Sequence, residues 1–362
     1  MSKMKPFIRS ICFLLGLVLL ISACDYLFAQ SGYIRYILHE VNSKDSNYDT
    51  IILGASHCRS AIDPQKIDDQ LGTNTLNLGI PSETIKDSSY LLQESCRNND
   101  VKRVILDVDY QYWVNPQGEG YFSEPFIYNQ MSWTSPVKWK YLWDNKSKLD
   151  IRSAFTKRNV YLCSPSGVKN NIEFKNSEGY KNYDIYSLNV PDANGPYVGK
   201  GFFSRVTSGG QPGGKAYIDS WIGKENAGIS DLVLEQFLKI KEYCDNNNIE
   251  LICVTSPITP SAMKVLGMDV VHDKFVSLFK EYGVEYYDFN MARMKTLSRQ
   301  DKDFGDLEGH AGGSFGQKYS CVLASLLKDR EDNTLDTNKY FYSSFSEMYQ
   351  KMNQDLSEAE AE

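Results

Sequence analysis

The chain has 362 residues, of which 42% are hydrophobic and 23% charged, and its formal net charge is −7. This composition is that of a globular protein and argues against disorder over most of the length. The acidic balance argues against a nucleic-acid-binding surface, which requires clustered Lys and Arg. The length favours two domains, or one domain with a large insertion.

The N-terminus carries a basic segment followed by an apolar one. Lys3, Lys5 and Arg9 precede an apolar run over residues 11–23. Extending this run to Phe28 gives the ~20 residues that a bilayer span needs. Because the basic residues come first, we expect them to remain cytoplasmic and the rest of the chain to be exported.

Three forms of this leader stay open: an uncleaved membrane anchor, a lipoprotein leader and a plain cleaved signal. The sequence Ile21-Ser22-Ala23-Cys24 has the shape of a lipobox, which would make Cys24 a lipidated N-terminus after cleavage. All three forms place residues 30–362 outside the cytoplasm, in the cell envelope.

Five short apolar runs alternate with helical patterns along the rest of the chain. Such runs are typical of strands buried on both faces, and they cover residues 50–53, 74–79, 103–108, 250–255 and 284–289. Helices are predicted over residues 82–98, 231–247, 260–282 and 314–328. The alternation predicts an α/β fold with about five mostly parallel strands and helices on both faces.

Local patterns add detail to two of these helices. Ser82 is the predicted N-cap of the first, and the second follows Ser230. The second helix carries an apolar stripe, formed by Val233, Phe237, Ile240 and Cys244. Cys244, and Cys253 in the fourth apolar run, are predicted to be buried free thiols.

Residues 115–228 break the alternation and are predicted to form an inserted cap. All five tryptophans lie between residues 113 and 221. Core packing is the more common use of such aromatic residues, and a surface that stacks on sugar rings is the alternative. The predicted boundaries are 1–29 for the leader, 45–114 and 229–330 for the two parts of the core, 115–228 for the cap and 331–362 for a C-terminal extension. Its acidic tail, from about residue 345, is predicted to fray.

The sequence Gly54-Ala55-Ser56-His57 follows the first predicted strand directly. Ligands of open α/β sheets bind at the carboxyl ends of the strands. A serine at this place can present its hydroxyl at the sheet edge as a nucleophile. A helix N-cap is the more common role of a serine after a strand, so both interpretations stay open.

A serine nucleophile needs a base, and the chain has four histidines. His39 lies near the leader and is predicted to be on the surface. His57 is adjacent to the serine, and neighbouring side chains in a turn usually point apart. His272 lies on a helix that is predicted to cover the sheet. His310 remains, in a polar loop after the last strand, with Asp306 close before it to orient the imidazole.

The order of these elements resembles the SGNH/GDSL hydrolase superfamily. The branch that it resembles most contains membrane-anchored proteins of cell-surface polymer acylation, including alginate O-acetylation proteins and the D-alanylation protein of lipoteichoic acid. Three segments carry the resemblance, namely Gly54-Ala55-Ser56 with Asp63-Pro64, Asn77-Leu78-Gly79, and the segment from Asp306 to His310.

The resemblance implies a flavodoxin-like three-layer sandwich and a serine mechanism. Ser56 would attack an ester carbonyl, His310 would take its proton, and Asp306 would fix the imidazole tautomer. The N–H groups of Ser56 and Gly79 would bind the oxyanion. The acyl group would pass to water in an esterase or deacetylase, or to a sugar hydroxyl in an O-acyltransferase.

The chain departs from the family pattern at three blocks. The usual Gly-Asp-Ser-Leu around the nucleophile is here Gly-Ala-Ser-His. The third block usually carries an Asn that donates to the oxyanion, but here it is Leu106-Asp107-Val108-Asp109. Asn115 could substitute only if the chain turns back. Three residues separate Asp306 from His310 where the family has two, so Glu308 or Asp303 is an alternative orienting acid.

We therefore expect an extracytoplasmic enzyme that acts on acyl esters of a surface polysaccharide, with a membrane-bound acyl-transfer protein as partner. The alternatives are a non-catalytic polysaccharide-binding or assembly protein on the same scaffold, and a lipid or small-ester hydrolase. A groove lined by tryptophans would favour a polymer, and a closed apolar pocket would favour small esters or lipid. The sequence has no nucleotide-binding motif and no paired Cys or His pattern, so no cofactor and no metal are expected.

Overall fold

The computed structural model describes residues 4–43, 45–114, 123–149, 151–187, 195–207 and 213–361. Its chain forms two compact units. The helical unit comprises Met1–His39 and Gly118–Leu188, and the sheet unit comprises Glu40–Gln117 and Asn189–Glu362. The predicted insertion is therefore divided, because only its first part joins the N-terminal leader and residues 189–228 belong to the sheet unit.

The sheet unit contains seven strands among the described residues: β1 (Thr50–Leu53), β2 (Thr75–Asn77), β3 (Arg103–Asp107), β4 (Tyr197–Gly199), β5 (Phe202–Phe203), β6 (Glu250–Thr255) and β7 (Glu285–Asp288). Five of them form one sheet in the order β2-β1-β3-β6-β7, and every neighbouring pair is parallel. Strands β4 and β5 form a separate antiparallel pair. The predicted α/β fold with five parallel strands is confirmed.

The α-helices of the described residues are α1 (Met4–Phe28), α2 (Ile34–Asn42), α3 (Ser56–Ala61), α4 (Pro64–Leu71), α5 (Ile85–Ser95), α6 (Gln111–Val114), α7 (Ser123–Gln130), α8 (Pro136–Asp144), α9 (Val168–Asn176), α10 (Glu178–Lys181), α11 (Lys215–Trp221), α12 (Asp231–Asn246), α13 (Pro260–Val265), α14 (Met268–Glu281), α15 (Gly313–Glu331), α16 (Thr337–Tyr340) and α17 (Phe345–Ala361).

Apolar side chains of the central strands pack against the long helix α15. Ile52 and Ile105 lie in one buried cluster with Tyr319 and Leu323 of that helix. A second, aromatic cluster joins Trp113 to rings of α12 and α14, with centroids 5.3–5.8 Å apart. Helices thus flank the sheet, and its carboxyl edge stays open for a site.

Several local predictions can be compared with these elements. The apolar stripe of α12 is buried as predicted, and Cys244 and Cys253 are buried free thiols. The N-cap of α5 is Thr84 rather than Ser82, since the Thr84 hydroxyl accepts from the N–H of Asp87 at 3.2 Å. The predicted helix 260–282 breaks into α13 and α14 because Gly267 adopts φ +59°.

The acidic C-terminal tail is helical instead of frayed. Helix α17 begins at Phe345 and buries Met348 completely. The Tyr342 hydroxyl donates to Asp355 at 2.9 Å. The buried side chains of Phe345 and Met348 and this hydrogen bond hold the helix to the sheet unit. The prediction of a frayed tail is therefore wrong for the described residues.

In the helical unit, α1 is the element with membrane character. Residues Lys5–Phe28 have a mean hydropathy of 2.4 in their most apolar window, and none of that window is buried. The helix is long and apolar enough to cross a bilayer, as the extension of the apolar run to Phe28 predicts. Such a helix can be a membrane anchor or a signal sequence.

Candidate active site

The turn after β1 is built on a glycine. Gly54 adopts φ +152°, and a Cβ there would lie 2.8 Å from Cys58 Cβ and 3.0 Å from Asp107 Cβ. Only glycine lets β1 end this close to β3. Helix α3 then begins at Ser56, with Ala55 rather than Ser56 in the N-cap position. The serine hydroxyl is therefore not used as a helix cap.

The structure brings the three predicted catalytic side chains together. His310 Nε2 lies 2.7 Å from Ser56 Oγ, and His310 Nδ1 lies 2.9 Å from Asp306 Oδ2. The carboxylate partner assigns the proton to Nδ1, so Nε2 can accept the serine proton. The arrangement is that of a Ser–His–Asp triad.

Asp306 is held by several donors. Its Oδ1 accepts from the N–H groups of Gly309 at 3.1 Å and His310 at 3.2 Å. Its Oδ2 also accepts from Arg205 Nη2 at 2.8 Å. These contacts fix the carboxylate beside the imidazole.

The two alternative acids are placed differently. Glu308 Oε2 lies 3.9 Å from His310 Nδ1, too far for a hydrogen bond. Asp303 accepts from the N–H of Gln300 at 2.8 Å, which closes the turn in which both lie. Asp306 is therefore the acid that contacts the imidazole.

A second His–Asp pair lies beside the triad. His57 Nδ1 is 2.6 Å from Asp109 Oδ2, and the His57 ring centroid is 4.4 Å from that of His310. His57 Nε2 is buried and has no hydrogen-bond partner among the described residues. The expectation that His57 points away from the site is therefore wrong, because its ring binds Asp109, which lies two residues after β3 at the same edge of the sheet.

The two imidazoles have opposite ionisation. Burial opposes the charged form of His57, but the charge and the hydrogen bond of Asp109 outweigh burial and raise the pKa of His57 to about 9. Burial and the neighbouring positive charge of His57 lower the pKa of His310 to about 4. At neutral pH the site therefore holds a cationic His57 beside a neutral His310.

Gly79 packs against the turn that carries Ser56. A Cβ at Gly79 would lie 2.9 Å from Arg59 N and 3.0 Å from Ala55 O. Its N–H donates to Asn77 Oδ1 at 2.8 Å, so this donor is engaged by a side chain. Asn77 Nδ2 also donates to the carbonyl of Cys58 at 3.0 Å, which ties β2 to α3. Asn115, the suggested substitute donor, lies outside the described residues.

A pocket adjoins the second His–Asp pair. Its polar lining includes His57, Asp109 and Glu308. Its apolar wall is formed by Val108, Tyr110, Ile218, Trp221, Leu266 and Met268. One of the five tryptophans thus lines it. Trp113 lies in the core, and Trp133, Trp139 and Trp143 lie in the helical unit and are exposed.

Three residues of the site were not among the predicted site residues. Asp109 could have been found, because it follows β3 at the edge where Ser56 follows β1. His57 was discounted for its position next to Ser56. Arg205 gave no sequence indication, since 101 residues separate it from Asp306.

Among the described residues, Asp306, Glu308 and His310 are close enough for one metal ion. His310 Nδ1 and Asp306 already bind each other there, so the group is accounted for by the triad. No protein-family model matches this chain, and no curated protein matches it either. The chemistry of the site is therefore argued from its own geometry.

Proposed function

We propose that this protein is a serine acyl-ester enzyme. One observation carries the proposal: Ser56 Oγ, His310 Nε2 and Nδ1, and Asp306 Oδ2 form a continuous hydrogen-bonded series with steps of 2.7 and 2.9 Å. A partly buried serine–histidine–carboxylate series of this kind activates a hydroxyl for attack on a carbonyl. The resemblance to SGNH/GDSL hydrolases supports the same reaction class.

In the first half-reaction, Ser56 Oγ bonds to the ester carbonyl carbon while His310 Nε2 takes the hydroxyl proton. Collapse of the tetrahedral intermediate breaks the ester C–O bond. His310 returns the proton to the leaving alcohol, which leaves an acyl-serine. In the second half, water or a sugar hydroxyl attacks the acyl-serine by the same proton route, which makes the protein a hydrolase or a transferase.

The oxyanion needs hydrogen-bond donors at the position where its charge develops. The N–H of Ser56 is in the first turn of α3 and has no intrahelical acceptor. Gly79 can contribute its N–H only when Asn77 Oδ1 releases it. We assign the third donor to His57, whose buried Nε2–H lacks a partner among the described residues and whose charge is maintained by Asp109. The cationic imidazole of His57 would take the place of the Asn side-chain donor that the family carries in its third block and this chain lacks.

For the substrate, we propose acyl esters of a cell-surface polysaccharide. The N-terminal helix and the resemblance support an extracytoplasmic, membrane-tethered enzyme. The pocket beside His57 offers an apolar wall for an acyl group, and Trp221 offers a ring face for the C–H face of a sugar. A membrane-bound acyl-transfer protein is the partner that a transferase would need.

The alternative is a non-catalytic polysaccharide-binding or assembly protein on the same scaffold. One observation favours it, namely the hydrogen bond between the N–H of Gly79 and Asn77 Oδ1. An oxyanion donor that is occupied in the resting site weakens catalysis but not binding. The two proposals differ in whether Ser56 becomes acylated.

The deciding experiment uses the full chain in detergent micelles with p-nitrophenyl acetate and a fluorophosphonate probe. We expect nitrophenol release and probe labelling that both disappear in Ser56→Ala. The control is Ser220→Ala, which removes an exposed hydroxyl of α11 and should change neither signal. Absence of both signals from a folded wild-type chain would leave the binding-protein proposal as the better one.

A further inference from the structure

The helical unit exposes a group of large aromatic side chains, which we call the aromatic surface: Trp133, Trp139, Trp143 and Phe155. Their exposed fractions are 53%, 42%, 68% and 65%. Trp133 lies 5.4 Å from Trp139 and 6.1 Å from Phe155 between ring centroids. Trp139 and Trp143 are four residues apart on α8 and share one face of that helix. A soluble surface rarely exposes such a group without a partner.

The aromatic surface is fixed close to the end of α1. Asp25, in the last turn of that helix, accepts from the N–H of Lys157 at 2.9 Å and from the Thr156 hydroxyl at 3.3 Å. Phe155 directly precedes these two residues. The end of the apolar helix and the aromatic surface therefore belong to one packed structure.

A lysine strengthens this attachment. The buried Lys175 Nζ donates to the carbonyl of Ala29 at 2.6 Å and to that of Tyr26. Carbonyls at a helix C-terminus have no intrahelical donor and carry the negative end of the helix dipole. Lys175 satisfies both needs, so the helical unit caps the end of α1 where the chain would leave a bilayer.

The charge of this region differs from that of the whole chain. Residues 123–187 contain ten Lys and Arg against six Asp and Glu, a net charge of +4, whereas the whole chain carries −7. Lys146 lies 3.7 Å from the centre of the Trp143 ring. Basic residues beside Trp are suited to anionic headgroups, because the ring enters the interface and the ammonium group meets the phosphate.

We infer that the aromatic surface lies in the headgroup region of an anionic phospholipid bilayer, the one from which α1 emerges. Tryptophan rings are enriched at this depth because one edge is apolar and the other donates a hydrogen bond. The inference rests on the membrane tether of the proposed function. It holds for an uncleaved anchor and for a lipid on Cys24, because both keep Asp25 at the membrane surface.

The test reconstitutes the full chain in vesicles of phosphatidylcholine and phosphatidylglycerol, with and without bromine on the phosphatidylcholine acyl chains. Bromine quenches only tryptophans that reach the bilayer. We expect quenching of the wild-type emission and its loss in the triple variant Trp133→Phe, Trp139→Phe, Trp143→Phe. The matched control, Trp221→Phe, changes a pocket residue of the sheet unit and should keep the quenching.

Three outcomes would overturn the inference. Quenching of the wild type no stronger than that of the triple variant would show that the tryptophans face solvent or a sugar polymer. Equal quenching on vesicles without phosphatidylglycerol would remove the anionic requirement. Failure of the chain to float with the vesicles would refute the membrane tether itself. None of these readouts depends on Ser56. Failure of the proposed serine chemistry in the nitrophenyl assay can therefore be distinguished from failure of the membrane inference.

Discussion

Two histidines at one sheet edge, each hydrogen-bonded to an aspartate, are held in opposite charge states. His310 meets Asp306 at 2.9 Å and His57 meets Asp109 at 2.6 Å. The pKa of His310 falls to about 4 and that of His57 rises to about 9. A carboxylate partner alone therefore does not set the charge of an imidazole.

The difference comes from what each pair has next to it. Asp306 is shared, since Arg205 Nη2 donates to the same oxygen as His310 does. Because Asp306 also binds Arg205, it stabilises a positive charge on His310 less strongly. The ring centroid of cationic His57 lies 4.4 Å from that of His310, and its charge opposes a second one there. Asp109 receives a neutral donor, Gln111 Nε2 at 2.8 Å, and keeps its charge for His57. One pair is prepared to accept a proton and the other to donate a hydrogen bond.

The largest expected effect comes from removing the base. His310→Gln should lower the rate of Ser56 acylation by roughly 10⁴-fold, because His310 Nε2 is the base that contacts Ser56 Oγ, at 2.7 Å. The measurement is the second-order rate of fluorophosphonate labelling. His272→Gln is the matched control, since His272 also pairs with an aspartate, Asp288 at 2.9 Å, but away from the site. A similar loss in both variants would refute the role of His310.

His57→Gln should lower the same rate by about 100-fold, the usual cost of losing an oxyanion donor. It should also move the acid limb of the pH–rate profile upward. The wild-type limb follows His310, whose pKa is about 4 partly because of the His57 charge. Without that charge, and with Asp109, Asp306 and Glu308 still facing the site, His310 takes up its proton at higher pH.

An unchanged acid limb in His57→Gln would show that the two rings do not interact in solution. A purely structural loss would lower the rate at every pH equally. The two explanations are thus separated by the position of the limb rather than by the size of the loss.

Asp109→Asn should have the smallest effect, and one that depends on pH. The substitution removes the anion that raises the pKa of His57, so His57 loses its charge at a lower pH than in the wild type. Labelling should decline above about pH 9 in the wild type and at a lower pH in the variant. Equal alkaline limbs would mean that the charge of His57 is not used.

The sequence predicted the parts of the fold that depend on continuous apolar runs. Strands β1, β3 and β6 were placed within a residue of their observed ends because their side chains are buried on both faces. The break at Gly267 was missed, since the apolar pattern continues across the left-handed residue. The insertion was placed, but its division between two units depends on tertiary contacts that no local pattern encodes.

The site was predictable where a residue follows a strand end. Ser56 and Asp306 with His310 were found in this way, since parallel strands bring their carboxyl ends to one edge. Sequence adjacency suggests that His57 points away from Ser56, but adjacency does not determine side-chain direction in the first turn of a helix. The role of Arg205 depends on its contact with Asp306, 101 residues away, which no local sequence pattern indicates.

The contact between Ser56 and His310 spans 254 positions of the chain. In the N-terminus-first export that we propose, Ser56 crosses the membrane well before His310. The complete triad would then form only on the far side, once both residues have crossed. The order of the residues in the chain would thus keep this reactivity away from esters inside the cell.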